Sequence, residues 1–178
     1  MTESAVSIRS LSGEEAHAHN LALCDVLMDC VEGGASVGFM SPLSQARAQS
    51  FWRLVAEDVA TGRRKLLIAE DSATKAMLGT VHLVLAQPDN QAHRADVSKM
   101  LVHRKARRRG IGASLIREAE HAARELGKTL LVLDTVTGSD AERLYARLGW
   151  TKVGVIPDFA LWPDGRACAT TYFYKPLS

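Results

Sequence analysis

A chain of 178 residues is long enough to bury one well-formed α/β core and short for two, so one domain spanning 1–178 is expected. Its 22 Lys and Arg against 20 Asp and Glu leave a net charge of +2, which excludes a global pull toward nucleic acid.

In chain order, residues 6–9 read as a first strand. Residues 14–31 read as one helix, with Leu21, Cys24, Leu27, Met28 and Val31 spaced for a buried stripe. The segment 33–40, Gly-Gly-Ala-Ser-Val-Gly-Phe-Met, breaks it, and its Val37, Phe39 and Met40 are too apolar for an idle linker. Ser41 then caps a second helix with Pro42 at its first position. Phe51, Trp52, Val55 and Val59 share a face of that helix, and Gly62 ends it. Strands at 65–70 and 77–86 follow, joined by the polar turn 71–75, and a turn at 88–90 leads into a strand at 95–102. A glycine loop opens a helix near Ala113, its stripe being Ile111, Leu115, Ala119, Ala122 and Leu126. The nearly continuous apolar run 129–134 suits a strand covered on both faces. Ser139 or Asp140 caps a helix with Ala141, Leu144, Tyr145 and Leu148 on one stripe, and 150–155 and 170–175 are the last strands. The order β-α-α-β-β-β-α-β-α-β-β predicts a three-layer α/β domain with a mixed sheet, antiparallel early and with one parallel crossover in the middle.

The three cysteines, Cys24, Cys30 and Cys168, show no Cys-x-x-Cys or Cys/His ligand spacing and read as buried thiols in a reducing cytoplasm. Residues 1–8 lack a basic and an apolar leader region, and no apolar run approaches membrane-spanning length. A soluble cytoplasmic protein without a membrane partner is therefore expected. The six histidines form no triad or metal spacing, so no metal is expected, and no Gly-x-Ser-x-Gly elbow points to a hydrolase.

The most informative stretch is Arg107-Arg108-Arg109-Gly110-Ile111-Gly112. A strand that turns through glycines into a helix start presents free backbone N–H groups at the positive end of the helix dipole, a setting for a phosphate or pyrophosphate. Other glycine motifs fail: a dinucleotide fingerprint would need glycine or alanine where Leu115 stands, and the only P-loop candidate, Gly127-Lys128-Thr129, has Ala122 at its first glycine position. The basic run 104–109 has no aromatics interleaved for stacking on bases, so no nucleic-acid partner is expected.

Arg107, Gly110 and Gly112 fit Arg/Gln-x-x-Gly-x-Gly/Ala and resemble the coenzyme A pyrophosphate loop of the GNAT N-acetyltransferase superfamily. Residues 141–150, ending Leu148-Gly149-Trp150, resemble that superfamily's helix with a tyrosine beside the thioester sulfur. The resemblance covers nearly the whole chain. It implies an α/β/α acyl-CoA N-acyltransferase fold whose sheet is mixed and mostly antiparallel, with splayed central parallel strands. It also implies acetyl-CoA as co-substrate, a small-molecule amine as acceptor, and direct attack in a ternary complex. The fold is compatible with a homodimer. Carried over, Tyr145 would donate a proton or hydrogen bond to the departing thiolate, with a Tyr145→Phe loss of about 10²–10⁴ in rate. Met100, Leu101 and Val102 would pair with the pantetheine amides and supply a backbone N–H to the carbonyl oxygen. Arg107, Arg108, Arg109, Gly110, Ile111, Gly112 and Ala113 would wrap the pyrophosphate, with Ser139 and Arg147 completing the cofactor side. Arg104, Lys105 and Arg108 are candidates for the 3′-phosphate.

Asp96, on the strand before the glycine loop, and Asp134, ending the next parallel strand, can both face the gap between splayed strands. Many GNAT members have glutamate near the first position. The shorter Asp96 would act as base through a water, and Asp134 would hold the substrate ammonium or share the base role. An α-amine near pKa ~8 needs less help to lose its proton than a lysine near ~10.4, which favours an amino-acid-like acceptor over a protein.

The segments 33–40, 94–97, 133–135 and 163–166 resemble those of the tabtoxin resistance acetyltransferase family, which acetylates tabtoxinine-β-lactam. That resemblance implies toxin or antibiotic resistance, with Val37, Gly38, Phe39 and Met40 forming a substrate pocket that Trp162 closes. Two rivals remain at this level: a protein or peptide N-acetyltransferase, and a catalytically silent acyl-CoA sensor.

Overall fold

The structure, a computed structural model, describes residues 5–177; the Met1–Ser4 part of the leader reading lies outside them. One seven-stranded sheet runs in the order β1 (Val6–Leu11), β2 (Arg64–Asp71), β3 (Met77–Val84), β4 (Arg94–Val102), β5 (Leu130–Val136), β7 (Ala167–Pro176), β6 (Thr151–Leu161). Every neighbouring pair is antiparallel except β4 and β5, whose crossover is helix α4 (Ile111–Glu125). This is the expected α/β fold with a mixed sheet.

The helices form where local chemistry closes their ends. Ser12 and Glu15 make a reciprocal capping box at the start of α1 (Gly13–Ala18). Ser44 Oγ accepts from Arg47 N to start α3 (Gln45–Ala60), and Ser139 Oγ accepts from Glu142 N to start α5 (Asp140–Arg147). Strand alternation then splits the core between the two sheet faces. Leu66 and Ile68 of β2 join α2 (Asn20–Glu32) and α3 around Trp52, Leu23 and Leu27. Leu67 and Ala69 of the same strand face α4 with Leu115, Ile116, Ala119, Leu131, Leu133 and Phe173.

Several expectations are corrected. Residues 14–31 are two helices broken at His19, and Leu21 is 65% exposed while Leu23, Val26 and Cys30 supply the buried face. The cap of α3 is Ser44, not Ser41, because only the Ser44 hydroxyl reaches the first-turn amide. Strand β5 alternates buried Leu131 and Leu133 with less buried neighbours instead of being covered on both faces. Leu126, at the C-cap of α4, is 44% exposed. Strand β6 runs to Leu161, well past the expected 155. All three cysteines are buried and free, and no helix among the described residues is long and apolar enough to cross a membrane.

Candidate active site

The parallel ladder between β4 and β5 has three rungs: Arg94 with Leu130, Ala95 with Leu131, and Asp96 with Val132. Beyond Asp96 the strands part, although β4 continues to Val102 and β5 to Val136. The sheet thus opens into a cleft of about 870 Å³ floored by Val97–Val102 and Asp134–Val136. One end is walled by the α4 entry and by α5. The other is walled by the glycine-rich loop 33–38 and the β6–β7 hairpin with Phe159, Ala160 and Trp162. Loop and hairpin are tied together: Ser36 Oγ donates to Leu161 O at 2.7 Å, and Ser41 N donates to Pro163 O at 3.0 Å.

At the α4 end, Gly110 is the N-cap in the left-handed conformation, φ 74°. The first intrahelical bond is Ser114 N to Gly110 O at 3.1 Å, so the N–H groups of Ile111, Gly112 and Ala113 have no intrahelical acceptor. Gly112 has little room for a side chain: a Cβ there would stand 3.2 Å from Leu144 Cδ2 and 3.5 Å from Met100 Sδ. A 15-residue helix directed at a cleft with its first-turn amides unclaimed is suited to an anion.

A family model for the acetyltransferase (GNAT) domain matches residues 62–152, just over half of the chain. The chain belongs to the GNAT acetyltransferase family. Solved structures agree on the fold. An N-acetyltransferase from Staphylococcus aureus Mu50 shares 16% identity, with a TM-score of 0.79, over 98% of this chain and all of that one. A ribosomal-protein-alanine N-acetyltransferase from Brucella melitensis shares 21% over 96% and 99%, TM-score 0.79. A phosphinothricin acetyltransferase from Sinorhizobium meliloti, solved with acetyl-CoA, shares 18% over 97% and 89%, TM-score 0.76. At these identities the likeness speaks for the fold alone, and the two neighbours named for an acceptor are named for different ones.

In this GNAT acetyltransferase the cleft gathers Tyr145, Asp134, Met100, Leu101, Val102, Arg107, Arg108, Gly110, Ile111, Gly112, Ala113, Ser139, Arg147, Val37, Gly38 and Trp162. It does not gather Asp96, Arg109, Phe39 or Met40. Asp96 is held on the side by Arg94 Nη1 and by Gln87 Nε2 at 3.1 Å. Phe39 packs edge-on against Phe51, centroids 5.2 Å apart, and Met40 is exposed. Arg104 is bound by Asp29 (Nε–Oδ1 2.9 Å) and Glu32 (3.1 Å), which leaves it poorly placed for a phosphate. The Val102 carbonyl already accepts from Arg107 Nε at 3.3 Å.

Tyr145 is buried, its ring 5.8 Å from Trp150 and 6.0 Å from Phe173 between centroids. Burial and the nearby Asp134 charge push its phenol well above the ordinary tyrosine value. Desolvation by the cleft wall raises the Asp134 carboxyl, the Lys99 ammonium opposes that rise, and the Asp96 charge adds to it. Lys99 and Phe159 are cleft residues that the sequence reading missed. A Ser-Lys pair inside an otherwise apolar strand end was the available signal for Lys99.

Proposed function

We propose that this enzyme transfers the acetyl group of acetyl-CoA directly to the amine of a small amino-acid-like molecule within a ternary complex. The observation that carries this reading is the pairing of Asp134 with Tyr145 on one splayed cleft whose far end is the amide-rich start of α4. Acetyl-CoA fits the residues present. The unclaimed amides of Ile111, Gly112 and Ala113 suit its pyrophosphate, with Arg107 and Arg108 beside them, and the β5-facing edge of β4 beyond Asp96 has no strand against it. Bound there, it supplies an activated acyl carbon and a thiolate leaving group.

The chain's own groups then divide the work. Asp134 takes the proton of the attacking ammonium, because it lines the cleft while Asp96 is occupied by Arg94 and Gln87. The raised Asp134 carboxyl is closer to the pKa of an amine than an ordinary aspartate, which eases that transfer. As the new N–C bond forms, the nitrogen gives its second proton to Asp134, which has released the first to water; the C–S bond breaks, the electron pair leaves on sulfur and the Tyr145 hydroxyl donates a hydrogen bond to it. A backbone N–H of Met100–Val102 meets the charge growing on the carbonyl oxygen.

The joined loop 33–38 and β6–β7 hairpin narrow the acceptor end, which favours a compact amine over a polypeptide. A tabtoxinine-type lactam belongs to that class, and toxin resistance is one physiological form of it. The test is release of free coenzyme A thiol from acetyl-CoA across amino acids, tabtoxinine-like lactams, polyamines, aminoglycosides and peptide N-termini. Turnover confined to amino-acid-like amines is expected. Turnover of peptide N-termini alone would replace this reading with a protein N-acetyltransferase. Tight acetyl-CoA binding with no turnover on any amine would replace it with a silent sensor.

A further inference from the structure

Resting on that reading, one side chain narrows the acceptor further. Lys99 lies on β4 where the β3–β4 register shifts between Thr80 and His82. Its backbone is in the left-handed region, φ 49°, an unfavourable conformation for a residue with a side chain. The irregularity is fastened by Thr80 Oγ1, which is buried and donates to Lys99 O at 2.9 Å. Lys99 lines the cleft beside Asp134, and its ammonium stands under the glycine-rich loop, 3.7 Å from where a Cβ on Gly38 would lie.

This ammonium has no hydrogen bond or ion pair among the described residues; the Phe51 ring centroid lies 5.9 Å from Nζ. The charged groups around it are otherwise engaged. Arg64 is held by Asp58 and by His82 Nδ1 at 3.0 Å, and Asp96 is held by Arg94. Asp134 acts on Lys99 through its charge without an ion pair, and desolvation weakens the Lys99 ammonium more than Asp134 supports it. A cation fixed by a strained strand irregularity, aimed into a binding cleft and lacking a counter-ion, is costly unless a ligand supplies the anion.

We infer that Lys99 is a specificity-determining residue of the acceptor site, its ammonium pairing with a carboxylate carried by the amine substrate. The substrate amine then falls beside Asp134, so the cleft reads an amino acid by both of its charges. Amines that lack the carboxylate forgo the Lys99 contact and bind weakly.

The probes are the twenty L-amino acids, phosphinothricin and tabtoxinine-β-lactam, each beside its methyl ester, assayed with wild type, Lys99→Met and Lys99→Arg. Each protein is assayed as a pH profile, so that a shift in the Asp134 titration is separated from a change in acid preference. For the best acid, wild type is expected to favour the acid over the ester by about 10- to 100-fold in kcat/KM, the range of a charge-assisted hydrogen bond. Lys99→Met should erase that preference by raising KM for the acid far more than KM for the ester, while any change in kcat through Asp134 is shared by acid and ester. Lys99→Arg should keep part of the preference. Calorimetry with the N-acetyl acid on the coenzyme A-loaded enzyme should show the same loss of affinity in Lys99→Met, and acetyl-CoA binding certifies that this variant is folded. Equal use of acid and ester by wild type, or a folded Lys99→Met with an unchanged acid KM, would overturn the inference and leave the acetyltransferase reading standing. Failure of wild type on every acid and ester would overturn both.

Discussion

Removing the Tyr145 hydroxyl is the sharpest test of the proposed chemistry. An ordinary phenol near pKa ~10 is a weaker acid than a thiol near ~8.5, so full proton transfer to the thiolate is already uphill by about 2 kcal/mol. In this cleft it is further uphill, because burial and the Asp134 charge lift the phenol well above its ordinary value. On the proposed mechanism Tyr145 therefore acts as a hydrogen-bond donor that stays protonated. Its loss should cost what a hydrogen bond to a charged acceptor contributes, about 1.5–3 kcal/mol, or roughly 10- to 150-fold in kcat. That lies mostly below the 10²–10⁴ expected of a proton-donating acid. Phenylalanine keeps the ring between Trp150 and Phe173, so Tm near neutrality should move little. Above about pH 10 the unfolded tyrosine ionises while the folded one holds its proton; wild-type stability falls there, and Tyr145→Phe escapes that fall. The assay is single-turnover acetyl transfer with saturating acetyl-CoA, followed from pH 6 to pH 10. An unchanged rate in a folded variant would refute the contact with sulfur. A wild-type basic limb below pH 10 that vanishes in Tyr145→Phe would refute the hydrogen-bond account in favour of proton donation.

Asp134→Asn should lower kcat/KM at neutral pH by about 10²–10⁴, and the wild-type acidic limb should lie above the usual aspartate range. The sign for stability is opposite. The folded carboxyl is raised, so its protonated form is favoured on folding, and wild type loses stability as pH rises from about 4 through the folded value. Thermal melts should then show Asn at least as stable as Asp at pH 8, with the advantage gone below pH 4. A Gly112→Ala Cβ meets only the flexible ends of Leu144 and Met100, so stability should shift by about 1 kcal/mol or less. The acetyl-CoA KM should rise about tenfold with kcat little changed, and an unaltered KM would dissociate that helix start from the pyrophosphate. Glu120 is buried and accepts from Trp150 Nε1 at 3.0 Å and from Lys175 Nζ at 2.8 and 2.9 Å. Glu120→Ala should cost about 3–5 kcal/mol and lower Tm by roughly 10 °C, with Glu120→Gln, which can keep the Trp150 bond, falling between. Equal melting of all three proteins would show that the pair adds nothing.

What the sequence revealed of this fold was what local chemistry decides. The α4 stripe and the Gly110 turn lie within a few residues of one another, and the structure reproduces the turn and the stripe from Ile111 to Ala122. The break at His19 was not legible, because neither glycine nor proline marks it. It follows from packing: α1 lies so close to α3 that a Cβ on Gly13 would stand 2.6 Å from Ala60 Cβ, while α2 turns away to cover the sheet. Local chemistry alone does not carry strand β6 through Pro157, which lacks a ladder donor. Pairing with β7 carries the strand through it, with a register shift between Ile156 and Ala160 and Asp158 at φ 49°.

The candidate site divides along the same line, and Asp96 and Lys99 show it best. Asp96 lies on the last rung of the parallel ladder, so it stands where the strands still touch, and a rule about splayed strands does not reach it. Its capture by Arg94 was readable, since a spacing of two along a strand puts both side chains on one face. For Lys99 the Ser98-Lys99 pair in an apolar strand end marks an unusual position without saying where its side chain goes. Alternation along β4 assumes an unbroken register, and the shift that redirects this stretch depends on Thr80, nineteen residues earlier on another strand. The residues proposed to hold the pyrophosphate are local to a motif, whereas those proposed to choose an acceptor come from β4, β5, loop 33–38 and the β6–β7 hairpin meeting in space. An acceptor is therefore best sought by changing Lys99 and asking which substrate charge ceases to matter.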